Sequence, residues 1–170
     1  LYKYPQRAYP YDELVNANKK LTRQDLEFEL LDTGVFDENR YFDVFVEYAK
    51  AAADDVLVRI TVHNRGPDVA SIHLLPTLWF RNTWSWEKDA ERPLLSAAGD
   101  CVIVARHAEL GGLELICDAH PTLLFTENES NNQRLFGSEN QSPCVKDAFH
   151  DYVIAGRRDA VSSAGSGTKA

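Results

Sequence analysis

All three tryptophans of the chain stand close together, in Leu78-Trp79-Phe80-Arg81-Asn82-Thr83-Trp84-Ser85-Trp86-Glu87. An indole face stacks on the apolar C–H face of a sugar ring, and neighbouring guanidinium, amide and carboxylate groups bond the ring's hydroxyls. Arg81, Asn82, Trp84 and Trp86 are therefore candidate sugar-binding residues. The structural alternative is that Trp79 and Trp84 plug the edge of a sheet. A second patch, Phe125 to Gly137, holds Glu127, Asn128 and Glu129 in a polar stretch between apolar anchors. Amides and carboxylates at this density suit hydroxyl groups or a cation such as calcium. The spacing does not match a calcium-binding EF-hand loop, so no metal ligand set is assigned.

Hydrolysis of a glycosidic bond needs two carboxyl groups held at a fixed separation across the sugar. With 26 acidic residues, pairs such as Glu127 with Glu129 or Asp32 with Asp37 arise by number alone. The chain has no phosphate-binding glycine loop, nucleophile elbow or zinc motif, and its five histidines show no paired ligand spacing. No catalytic residue, metal or cofactor is therefore assigned. A formal net charge of -8 disfavours nucleic acid and points to a neutral or cationic ligand. No apolar run is long enough to span a membrane. Cys101, Cys117 and Cys144 are odd in number and lack metal-ligand spacing, which fits the cytoplasm better than a disulfide framework.

Two-residue alternation supplies the frame for these patches, because it sends alternate side chains to opposite faces of a strand. It predicts strands over 42–49, 56–63 and 72–80, with Val46, Val56, Val58, Ile60 and Val62 facing a core. Short turn-rich links make the three an antiparallel meander, with Pro76 marking an edge or bulge. Trp79, on the third strand, is expected to be buried, and Trp86, in the loop beyond, partly exposed. Cys101 to Arg106 and Leu113 to Asp118 flank Gly111-Gly112 as a hairpin, and Leu123 to Phe125 suggests a further strand. Helical signal is limited to Asp12–Leu21, with Asp12 as N-cap, and a segment within Ser142–Tyr152. The expected fold is an all-β, two-sheet antiparallel sandwich, supersandwich-like, with one or two short helices. Residues 1–161 form the expected domain, and the small polar residues 162–170 form a flexible tail or linker. The absence of methionine and the start at Leu1 suggest a fragment of a longer protein.

Leu1 to Tyr11, Glu29 to Phe36, Arg40 to Lys50, Leu74 to Trp86, Leu124 to Glu129 and Asp151 to Val153 occur as ordered blocks over nearly the whole chain. They resemble the amino-terminal region of bacterial glycoside hydrolase family 63 proteins, the mannosyl-oligosaccharide glucosidase relatives. The resemblance implies the β-domain of an inverting α-glycosidase that packs on an (α/α)6 barrel. It places both catalytic carboxyl groups in that barrel. Its partners would be the barrel of the same parent chain and an α-glucoside, with self-association through the surface left bare in the fragment. The leading expectation is a non-catalytic domain that helps wall the sugar pocket. The alternatives are a stand-alone carbohydrate-binding module and, less favoured, a hydrolase in its own right.

Overall fold

The computed structural model describes residues 1–86 and 89–170. The chain is all-β, with two antiparallel sheets and a few short helices, the sandwich-like class expected from the alternation. It divides into two compact units, Leu1–Leu74 and Leu75–Ala170, each carrying one sheet.

In the first unit β1 (Tyr2–Pro5), β2 (Tyr41–Lys50) and β3 (Val56–Asn64) pair in the order β1-β2-β3. The alternating segments 42–49 and 56–63 form β2 and β3, with Val46 opposite Ile60 and Glu47 opposite Arg59. The third place is taken by β1, whose Lys3 lies opposite Asp43, and no strand forms over 72–80. Pro76 removes a donor from the middle of that segment, which disfavours its pairing along β3, the strand a meander would place beside it. Helix α1 (Tyr11–Asn18) overlaps the predicted segment, but Pro10 occupies its N-cap position and Asp12 sits in the first turn. There its negative charge meets the positive end of the helix dipole. The Asn18 side chain holds the loop beyond the helix, donating to Leu14 O and Phe28 O and accepting from Phe28 N.

Only one end of this sheet is buried. Val35, Phe42 and Val44 are core residues, and Val46 and Ile60 are half-buried. Val56 and Val58 are exposed, contrary to the expected core face, because they lie at the outer end of the β2–β3 hairpin, opposite Lys50 and Tyr48. Asp43 is buried beside the core, accepting from Lys3 Nζ at 3.0 Å and Arg65 Nε at 2.6 Å. These hydrogen bonds, from Arg65 first and then Lys3, hold the Asp43 carboxyl below its ordinary range. A depressed carboxylate contributes stability above its unfolded pKa and loses it as pH falls through the folded one. The melting temperature should therefore fall with acid through and below the ordinary aspartate range. Asp43→Asn should flatten that part of a pH series of thermal melts; an unchanged acid limb would show that the cluster contributes nothing.

In the second unit β4 (Leu94–Ala97), β5 (Val102–His107), β6 (Gly111–Ile116) and β7 (Ser166–Gly167) pair in the order β6-β5-β4-β7. The β5–β6 hairpin follows the predicted one, and Gly111 supplies the positive φ of 73° that its turn requires. Leu123 to Phe125 forms no strand; pairing there begins only at Thr126, which bridges to Lys169. Helix α2 (Asn132–Phe136) lies in the polar stretch, capped by the Asn131 side chain, which accepts from Arg134 N. Helix α3 (Ala148–Ala155) begins well after Ser142.

The tail expected at 162–170 is instead part of this unit. Ser166 and Gly167 pair with Ser96 and Leu95, and Lys169 bridges to both Trp79 and Thr126. Ala170 exchanges backbone hydrogen bonds with Leu78 and joins Leu95, Ile103, Ala105 and Phe125 in the core cluster. Glycine is required at 167 because its backbone approaches that of Thr126 closely, a use that polar composition disguises as a linker. Leu95 is fully buried at the centre of this cluster. Leu95→Ala should lower stability by about 2–5 kcal/mol through lost transfer energy and the residual cavity, as read by denaturant titration.

Candidate functional site

A groove of about 520 Å3 opens in the second unit, lined by Trp79, Asn82, Ser85, Trp86, Asn128, Ser130, Lys146 and Lys169. Its floor is set by the carboxy-terminal segment, which places Lys169 between Trp79 and Thr126. The two indoles at its walls are open, Trp79 at 54% and Trp86 at 66% exposure. The exposure of Trp79 corrects the expectation of a buried strand residue; with no strand over 72–80, its one backbone bridge holds the residue without covering the ring. The guanidinium of Arg81 lies over the Trp86 ring at 4.9 Å, so Arg81 braces the indole without lining the groove.

Two amides fix the groove's polar wall. Asn82 Nδ2 donates to Asn128 O at 2.9 Å, and Asn128 Nδ2 donates to Phe80 O at 2.8 Å. The Asn128 backbone N–H donates to Thr168 Oγ1 at 2.7 Å. The loop after Phe80 is thus tied to the polar stretch at 126–130, and the two patches read separately from the sequence meet on one surface.

Besides Arg81, three candidate residues do not line the groove. Trp84 is buried, and its indole N–H has no partner among the described residues. It therefore acts as a plug in the fold, and the sugar-facing place assigned to it is corrected. Glu129 is buried and paired with the Arg92 guanidinium at 2.5 Å. Glu127 accepts from Thr168 Oγ1 at 2.7 Å and stands 4.0 Å from Arg92. Both carboxylates are committed to internal partners, and neither lines the groove. Glu87 falls outside the described residues. Among the described residues no His/Cys/Asp/Glu cluster suits a metal ion.

Sequence reasoning missed Lys146 and Lys169. Lys146 Nζ donates to Ser130 Oγ at 3.2 Å. Lys169 Nζ donates to Lys146 O at 2.7 Å and lies 5.0 Å over the Phe149 ring. Burial, reinforced by the charge of Lys146, lowers the Lys169 pKa, with Asp147 opposing. Nothing in local sequence marks Lys169, because it reads as the end of a polar tail.

The chain is 36% identical over 206 aligned residues to an uncharacterized protein of Saccharomyces cerevisiae, an alignment that takes in all of this chain. The chain spans 19% of that relative's length. No protein-family profile and no solved structure matches the chain. No helix among the described residues is long and apolar enough to cross a membrane.

Proposed function

We propose that this chain is a non-catalytic carbohydrate-binding domain of a longer glycoside hydrolase of α-glucosidase type. The observation that carries the reading is the pair of exposed indoles, Trp79 and Trp86, on one groove with the Asn82 and Asn128 amides and the Ser85 and Ser130 hydroxyls. Flat apolar faces beside convergent donors and acceptors match the amphipathic surface of a sugar ring. The groove also falls within the ~300–1,000 Å3 typical of small-ligand sites.

The ordered blocks that resemble family 63 support the hydrolase context. In that context the groove helps wall the sugar pocket of an (α/α)6 barrel, with both catalytic carboxyl groups supplied by the barrel. Glu127 and Glu129, held by Thr168 and Arg92, are not free to serve as an acid and base pair here. A second reading, a module that binds sugar on its own, is favoured by the openness of both indoles in this chain. Three free thiols suit a reducing, cytoplasmic setting for either form.

Purified chain should bind α-glucosides while hydrolysing neither aryl α-glucosides nor α-linked disaccharides above buffer background. Turnover that one Asp or Glu substitution in this chain abolishes would overturn the non-catalytic assignment. Absence of any glycoside binding would overturn the groove's role.

A further inference from the structure

The charge of the groove narrows the class of sugar it would hold, an inference that rests on the carbohydrate reading. The chain carries a net charge of -8, yet its groove is lined by two lysines and no carboxylate. Neither Lys146 nor Lys169 is within ion-pair distance of an acidic side chain among the described residues; nearby Asp147 is paired with Arg134 at 3.1 Å. Lys169 is half-buried between the Phe149 ring and the Lys146 carbonyl. Two ammonium groups brought to one recess, one of them partly desolvated, repel each other unless an anion joins them. We infer that the sugar held in this groove bears a negative charge, carboxylate or phosphate, read by Lys146 and Lys169 while its ring stacks on Trp79 or Trp86. A lysine ammonium suits either anion as a point charge. The general expectation of a neutral or cationic ligand is thereby reversed at this one place.

Tryptophan fluorescence of the whole chain, titrated with methyl glucoside, methyl glucuronide and glucose 6-phosphate at low and high salt, tests the inference. Either acidic sugar should bind at least tenfold tighter than the neutral one at low salt, with the advantage shrinking at high salt. Comparing the two acidic sugars tells carboxylate from phosphate. Lys169→Gln and Lys146→Gln should each bring the acidic-to-neutral affinity ratio towards one. Equal affinity for all three sugars leaves the groove in place and overturns the charge assignment. Binding of none overturns the carbohydrate reading itself.

Two cysteines stand at the open end of the β5–β6 hairpin. Continuing the register from Val102 opposite Ile116 sets Cys101 opposite Cys117, and the Cys117 N–H donates to Cys101 O at 2.9 Å. Opposed residues in a hydrogen-bonded antiparallel pair have Cα atoms about 5.5 Å apart and side chains on one face. Disulfides span this separation. Both thiols are free and partly accessible. The geometry points to Cys101 and Cys117 as a reversible dithiol–disulfide pair. With a small-molecule disulfide as oxidant, the Cys101 thiolate attacks one of its sulfurs and expels the first thiolate. Deprotonated Cys117 then attacks Cys101 Sγ and expels the second. Two cysteine thiols are oxidised, one disulfide is reduced to two thiols, and the two cysteine protons pass to the leaving thiolates. Burial raises the Cys117 pKa, which disfavours its thiolate and leaves the first attack to Cys101.

Intact-mass measurement after incubation with oxidised glutathione should show the loss of two hydrogens. Alkylation should then reach only Cys144, and a reducing agent should restore all three thiols. In Cys117→Ser the exchange should stop at a glutathione adduct on Cys101. A stable adduct on either cysteine of the unsubstituted chain, or a disulfide between copies, would overturn the pairing.

Discussion

Gly167→Val should be the most damaging single substitution in the second unit, lowering stability by about 4 kcal/mol or more and abolishing glycoside binding with it. Gly167 lies in β7 against Thr126, and a Cβ there would fall within 3.0 Å of Thr126 C and 3.2 Å of Thr126 N, closer still to the carbonyl oxygen. The obstacle is backbone, so no rotamer change relieves it. The same carbonyl accepts from Thr168 N at 3.1 Å and Lys169 N at 2.9 Å, so strand displacement also breaks these bonds. Lys169 and Ala170 would lose their places in the groove and the core. Thermal melting and urea titration check this. A valine variant that melts like the parent would show that the carboxy-terminal segment is not integral to the unit.

The double substitution of Trp79→Ala and Trp86→Ala should have the opposite profile. Both rings are largely exposed, so stability should change little, within about 1 kcal/mol for the pair. Glycoside affinity should fall at least tenfold for each ring removed, about 1.4 kcal/mol apiece, the behaviour of aromatic anchors at binding surfaces. Trp84→Ala should invert the pattern, because that ring is buried and its loss typically costs about 3–5 kcal/mol. Calorimetric titration alongside thermal melts separates the cases. Loss of fold in the double variant, or unchanged affinity, would remove the two indoles from the site.

Local periodicity made β2, β3 and the β5–β6 hairpin legible, because in each the alternation, the turn chemistry and the pairing agree. It failed at 72–80, where alternation is as clear but Pro76 interrupts the donors needed to pair along β3 and the segment bridges instead through Trp79 to Lys169. Whether a strand forms depends on a partner elsewhere in the chain, and no window around Pro76 reports that. The tail failed for a related reason. Ser166, Gly167 and Thr168 read as linker by composition, whereas Gly167 admits a close backbone crossing with Thr126.

The site shows the same division. Chemical type identified Trp86, Asn82 and Asn128 as groove residues, since aromatic and amide side chains announce what they can bind. Type alone did not separate exposed Trp79 from buried Trp84, five residues apart on a segment without helix or strand. Nor did it reveal that Arg92 and Thr168 occupy Glu129 and Glu127, or that Lys146 and Lys169 converge on the groove. Those are long-range contacts made by the fold.

The groove lined by Trp79 and Trp86 is proposed to hold a sugar, and the three indole N–H resonances report on this directly. In a 15N-labelled chain titrated with neutral and acidic glucosides, the Trp79 and Trp86 signals should shift progressively with ligand. The signal of buried Trp84 should stay in place as an internal control. Trp79→Ala and Trp86→Ala spectra assign the resonances. Indole signals that all remain fixed at saturating glycoside, or a shift confined to Trp84, would contradict the account.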